Sequence, residues 1–154
     1  MMTFYHGNKR GTGARLSVEV RKASPCQRGE ARLAIAPQAD GEGPNGRYLF
    51  DTSNEVYITM DAVRTAKLVS MLNKDYPDEE YRFIRTKAAE TRTTLFIDPV
   101  DEPFPGFALH LSHADEAGDY TMGDGRIVIN NSEARALAMA LAASLGDIAF
   151  GEGS

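Results

Sequence analysis

From Arg15 to Lys22 the chain alternates without interruption: Leu16, Val18 and Val20 fall on one side, Arg15, Ser17, Glu19 and Arg21 on the other. Period-two alternation is the mark of a strand with one buried face. SPCQRG reads as a turn, and Ala31–Ala36 as a second strand with Leu33 and Ile35 inward and Arg32 outward. After the loop ADGEGPNG come two more short strands, Tyr48–Phe50 and Glu55–Thr59, separated by the turn DTSN. The spacing then lengthens to that of a helix. Asp61 is a good N-cap, and Ala62, Ala66, Val69 and Leu72 share one face of AVRTAKLVSMLNK.

The second half repeats this order. Tyr81–Lys87, Thr93–Asp98, Phe107–His113 and Arg126–Ile129 read as strands, the second of them ended by Pro99. Asn131 or Ser132 then caps the Ala/Leu-rich helix EARALAMALAASL, with Gly146 as its stop. The two strand-to-helix joints, VYITMDAVRTAKLVSML and IVINNSEARALAMALAA, match in pattern. The chain is therefore expected to be an α+β single domain, residues 1–154, built of two ββββα pseudo-repeats at about 1–75 and 76–154.

Charge changes the picture. Residues 1–50 hold eight Lys and Arg against four Asp and Glu, a net +4; residues 51–100 carry −2 and residues 101–154 carry −7. An acidic chain with a basic opening suggests one polyanion-facing end. The opening stretch FYHGNKRGTGARLSVEVRK concentrates Lys9, Arg10, Arg15, Arg21 and Lys22 among three glycines. Gly7, Gly11 and Gly13 would let the backbone turn and approach a phosphate chain closely, or form a flexible arm. The single cysteine, Cys26, excludes an internal disulfide and suits a reducing compartment. No run nears the ~18 apolar residues of a membrane span, and the N-terminus lacks the apolar core of a signal peptide. A cytoplasmic protein is expected.

Catalytic chemistry finds little to work with. GNKRGTG lacks the spacing of a phosphate-binding loop and follows no strand. His110 and His113 are three apart on a strand, hence on opposite faces, and His6 stands alone. The acidic stretch DEAGDYTMGDG lacks the spacing of a calcium loop. No catalytic, metal or cofactor site is expected, and the protein is not expected to be an enzyme.

Binding fits better. Arg15, Arg21 and Arg32 point outward on the first strands, and Arg82, Arg85 and Lys87 punctuate the fifth. Tyr57 and Phe96 lie opposite the aliphatic rows of their own strands. Cations that follow a backbone, among rings that stack on bases, suit single-stranded nucleic acid. The same positions are compatible with core rings and solvated arginines, and the pattern alone does not choose.

The stretches FYHGNKRGTGARLSVEV, ARLAIAPQ, YLFDTSNEVYITMDAVRTAKLVSML, TLFIDPV, FALHLSH and RIVINNSEARALAMALAASL resemble the Whirly family of single-stranded DNA-binding proteins. The family's Lys-Gly-Lys-Ala-Ala-Leu motif is replaced by the longer HGNKRGTGARL, with Arg15 where the second Ala would fall, and its Trp residues are absent. With no transit segment in view, the resemblance points to a bacterial or phage-type relative. It implies two antiparallel four-stranded sheets packed crosswise with two helices, a homo-oligomer with a tetramer favoured, and sequence-tolerant single-stranded DNA binding in replication, recombination or transcription. Lys9, Arg10, Arg15, Arg21, Lys22, Arg32, Tyr57, Arg82, Arg85, Lys87 and Phe96 are the expected contacts. An RNA-binding or annealing protein of the same fold, and an adaptor that binds protein instead, remain the alternatives.

Overall fold

The computed structural model describes residues 2–42, 47–74, 83–88, 90–115 and 121–150. The first half forms β1 (Met2–His6), β2 (Ala14–Arg21), β3 (Glu30–Glu42), β4 (Tyr48–Phe50), β5 (Val56–Met60) and helix α1 (Ala62–Leu72). The second forms β6 (Phe83–Ala88), β7 (Thr91–Val100), β8 (Gly106–Asp115), β9 (Thr121–Asn130) and helix α2 (Asn131–Phe150).

Both sheets are antiparallel. In the first, β1 pairs β2, β2 pairs β3, and β4 and β5 both pair β3. Residues 31–35 of β3 take β5, while Gln38 and Glu42 take β4, so these two strands share one flank of β3 in tandem. The sheet is thus four strands wide although it contains five. The extra strand, β1, escaped the sequence reading: MTFYH shows no clean alternation, and four of its five residues are half-buried. The second sheet runs β6-β7-β8-β9. β5 approaches all four strands of that sheet, and β9 approaches β2, β3 and β5, as strands do when two sheets cross.

One apolar layer joins everything. Leu16, Leu33, Ile35 and Ile58 meet Leu95, Ile97, Phe107, Leu109 and Ile129, and the two helices pack on each other beside them through Leu68, Met71, Leu137 and Leu141. Asp61 caps α1 as expected, its carboxylate accepting from the Arg64 N–H at 2.8 Å.

Two expected breaks do not occur, and the strand expected to end at Ala36 runs on as well. β3 continues through Pro37, where pairing to β5 has ended at Ile35 and pairing to β4 begins at Gln38. β7 continues through Pro99, beyond Phe96, where the pairing with β6 ends. In both places the missing N–H falls where no partner asks for it, which is where a sheet tolerates proline. Gly146 does not stop α2, which runs on to Phe150. A mid-helix glycine costs only ~1 kcal/mol relative to alanine, and the last turn is tied down: Ile148 is buried, and the Asp147 carbonyl accepts from the Ala23 N–H at 2.8 Å. The β2–β3 turn is seated there so tightly that a Cβ on Gly29 would lie 2.4 Å from the Ile148 carbonyl oxygen. The cap of α2 is also one residue earlier than expected. Asn130 accepts from the Glu133 N–H at 2.8 Å, and Glu133 accepts from the Asn130 N–H at 3.0 Å, a reciprocal capping box.

Phe107 is 1% exposed at the centre of this layer. Phe107→Ala is expected to cost about 3–5 kcal/mol of stability. Urea denaturation checks it; a loss below about 1 kcal/mol would mean that the layer is loosely packed around that ring.

Candidate nucleic-acid interface

The packed layer turns one face of each sheet inward and leaves the other open. On the open face of the first sheet, cross-strand register places Arg15 on β2 beside Tyr5 on β1, and sets Tyr57 on β5 diagonally from Arg32 on β3. Glu55 reaches both cations. Its Oε2 accepts from Arg15 Nη2 at 3.2 Å and its Oε1 from Arg32 Nη2 at 3.1 Å. The Arg32 guanidinium lies over the Tyr57 ring, 4.3 Å from its centroid. Tyr57 is 50% exposed, as expected of a ring facing away from the core. Arg15 is more enclosed, and its Nε is buried without a hydrogen-bond partner. Tyr5 and Phe50 form a further tilted ring pair on this sheet, centroids 5.7 Å apart. Sequence reasoning missed Tyr5 and Phe50 because β1 was not recognised, and missed Glu55 because its partners lie on other strands.

The free edge of β5 borders a groove with two widened ends of about 340 and 360 Å³. Thr59 and Thr86 line both ends. One end is uncharged apart from Glu55: Asn54, Thr91, Thr93 and His113 face Val56, Ile58 and Met122. Thr93 Oγ1 and His113 Nδ1 are hydrogen-bonded at 2.9 Å. Just behind it, hydrogen bonds from the side chains of Ser53 and Asn54 hold the Asp51 carboxyl below its ordinary pKa. The other end is basic. Arg21, Arg28, Arg64 and Lys87 line it together with the acids Glu30 and Asp61. Arg21 Nη2 donates to the Arg28 carbonyl at 3.1 Å and lies 3.3 Å from Glu30. Arg64 joins α1 to β6, its Nε donating to the Arg85 carbonyl at 3.0 Å and its Nη1 to Asp61 at 2.9 Å. Arg28 and Arg64 were not among the expected contacts; each joins the groove only through tertiary packing.

The remaining expected residues are dispersed. Lys22 is exposed beside the β2–β3 turn, and Arg85 and Lys87 are exposed on β6. Phe96 is on the open face of the second sheet, 37% exposed and stacked on His110 at 5.7 Å. It therefore shares no surface with Tyr57. Arg82 lies outside the described residues, as does Tyr81 beside it. Lys9 and Arg10 sit at the exposed tip of the β1–β2 connection. That connection is locked rather than flexible. Gln38 Oε1 accepts from the N–H groups of Asn8 and Gly13 at 2.9 and 3.2 Å, and Gln38 Nε2 donates to the Asn8 carbonyl at 2.8 Å. Gly11 has φ +76°, which favours glycine, and a Cβ on Gly13 would lie 2.0 Å from the His6 carbonyl oxygen. The close approach served by Gly13 is to the protein's own backbone. Among the described residues, no group of three or more His, Cys, Asp or Glu is placed to hold a metal ion, and no helix is long and apolar enough to cross a membrane.

No family model matches this sequence, and no curated protein does. Solved structures do. The crystal structure of WHY1 from Arabidopsis thaliana superposes with a TM-score of 0.70 over 97% of this chain and 84% of that one, at 19% identity. The fold is Whirly-like. The plant transcriptional regulator PBF-2 matches with a TM-score of 0.66 over 96% of this chain and 80% of its own, at 16% identity. A guide-RNA-binding protein complex bound to its RNA has the same Whirly-like arrangement, with a TM-score of 0.56 over 94% of this chain and 88% of that chain, at 19% identity.

The Arg15–Glu55–Arg32 trio makes a direct statement about stability. Arg15→Glu sets a second carboxylate beside Glu55 and is expected to cost about 1–3 kcal/mol. Reversal of exposed Arg28 is expected to leave the thermal midpoint nearly unchanged. Equal midpoints for the two variants would show that the trio is solvated and carries no structural weight.

Proposed function

We propose that this protein binds single-stranded nucleic acid, DNA foremost, with little sequence preference and without catalysis or a cofactor. The observation that carries the reading is the groove along the free edge of β5, where Arg21, Arg28, Arg64 and Lys87 line one end and Tyr57 stands exposed on the strand itself. A backbone following the cations would bring its bases to β5. A single strand, unlike a duplex, leaves its base faces free to meet exposed rings, and rings and cations together bind any sequence. The Whirly-like fold is consistent with this and raises its prior by analogy. Work in replication, recombination or transcription within the cytoplasm accords with it. RNA is the second ligand, favoured by the likeness to a structure with guide RNA bound.

We read the assembly as a homo-oligomer, with a tetramer favoured. Its support is the outer side of α2, where Ala136, Met139, Ala143 and Phe150 are exposed, Met139 at 67% and Phe150 at 74%.

Fluorescence anisotropy of a labelled oligo-dT tests the proposal, with unlabelled duplex and oligo-U as competitors. With about four phosphate contacts, affinity is expected to fall about 50-fold between 50 and 200 mM salt. Duplex should fail to compete. The pair Arg28→Glu and Lys87→Glu should weaken binding further and flatten that salt dependence. No binding at low salt would sink the function, and wild-type affinity in the double variant would move the site off this groove.

A further inference from the structure

The trio on the open face separates two roles that the cations of this surface could play. Resting on the proposal of single-strand binding, we infer that Arg32 presents the plane of its guanidinium to a base, and that Glu55 is the positioning residue that holds it there.

The geometry supports this in three steps. Arg32 is pinned at its edge by Glu55 Oε1 at 3.1 Å and on one face by the Tyr57 ring at 4.3 Å. Glu55 is itself fixed, since its second oxygen is engaged by Arg15 and its side chain is only 17% exposed. A long side chain held at both points has lost most of its rotamer freedom before any ligand arrives. The Arg32 side chain remains 37% exposed, with Glu19 on β2 as its cross-strand neighbour. A guanidinium plane is weakly hydrated and stacks on aromatic systems, and bases splayed from a single strand stack on arginine as they do on rings. A base would then complete a stack of base, Arg32 and Tyr57.

Phosphate binding asks something else of an arginine, the donor edge of the fork. For Arg32 part of that edge is given to Glu55, and a phosphate there would also meet a carboxylate. The groove instead gathers Arg21, Arg28, Arg64 and Lys87 at one end. Stacking at the open face and charge in the groove are therefore divided between different residues.

Two substitutions separate stacking from charge. Arg32→Lys keeps the charge and removes the plane. It is expected to weaken oligo-dT binding about tenfold while leaving the slope of affinity against salt unchanged. Glu55→Gln makes the face more positive, yet is expected to weaken binding because Arg32 leaves the ring. Wild-type affinity in Arg32→Lys, or tighter binding with a steeper salt slope in Glu55→Gln, would overturn the inference and make Arg32 a phosphate contact. A wild-type protein that binds no single strand would overturn the underlying proposal and this one together. A ligand-free readout isolates Glu55. The side-chain protons of Arg32 should show an upfield ring-current shift in NMR spectra, lost in Tyr57→Leu and in Glu55→Gln. Retention of the shift in Glu55→Gln would remove the positioning role.

Discussion

The contact of two sheets across one dry apolar layer is the constraint on which the remaining structure depends. Strand geometry sends successive side chains to opposite faces. Once Leu16, Leu33, Ile58, Leu95 and Leu109 are committed to the layer, their neighbours Arg15, Arg32, Tyr57 and Phe96 have nowhere to go but outward. The surface chemistry is thus a by-product of core packing. A one-residue slip in β3 would turn Arg32 into the layer and Leu33 to solvent, so the core enforces the register that the face requires.

Charge on this face is handled locally, which explains how an acidic chain can carry basic ground. Net charge of −5 is a whole-chain figure. Within a Debye length of about 10 Å, what counts is the near neighbourhood: Glu55 and Glu19, the cross-strand neighbour of Arg32, match Arg15 and Arg32 on the open face, while Glu30 and Asp61 offset only part of four cations in the groove. Only the groove keeps a positive surplus. The acids also restrict the arginines to particular conformations, a role that a count of charges does not reveal.

Legibility in the sequence followed the range of the interaction. Alternation in RLSVEVRK and the cap at Asp61 are local facts, and they were readable; alternation also set Tyr57 and Phe96 opposite their aliphatic rows, without deciding whether those rings were core. β1 was not, because its residues are half-buried on both sides and leave no period. Pro99 misled because a missing N–H matters only where a neighbouring strand would use it, and the neighbours are set by topology; β3 passes Pro37 on the same ground. Gly146 misled for the same kind of reason: contacts at Asp147 and Ile148 outweigh its low helix propensity. The groove was invisible, since Arg28, Arg64 and Lys87 are far apart in the chain and meet only when the β2–β3 turn, α1 and β6 converge. The expected contacts are scattered in space, with Phe96 and Lys9 on surfaces of their own.

The seating of the β2–β3 turn on the last turn of α2 links two regions that otherwise share no chemistry. Ala23 and Gly29 hold the turn to Asp147 and Ile148, and the same turn carries Arg28 into the groove. The end of the helix and the groove wall are consequently one mechanical body. Anything that frays the helix end loosens that wall, and by thermodynamic reciprocity anything that clamps the wall steadies the helix end. A subunit neighbour resting on α2 and a strand lying in the groove would then sense each other through this joint, giving cooperativity between assembly and occupancy without a dedicated switch.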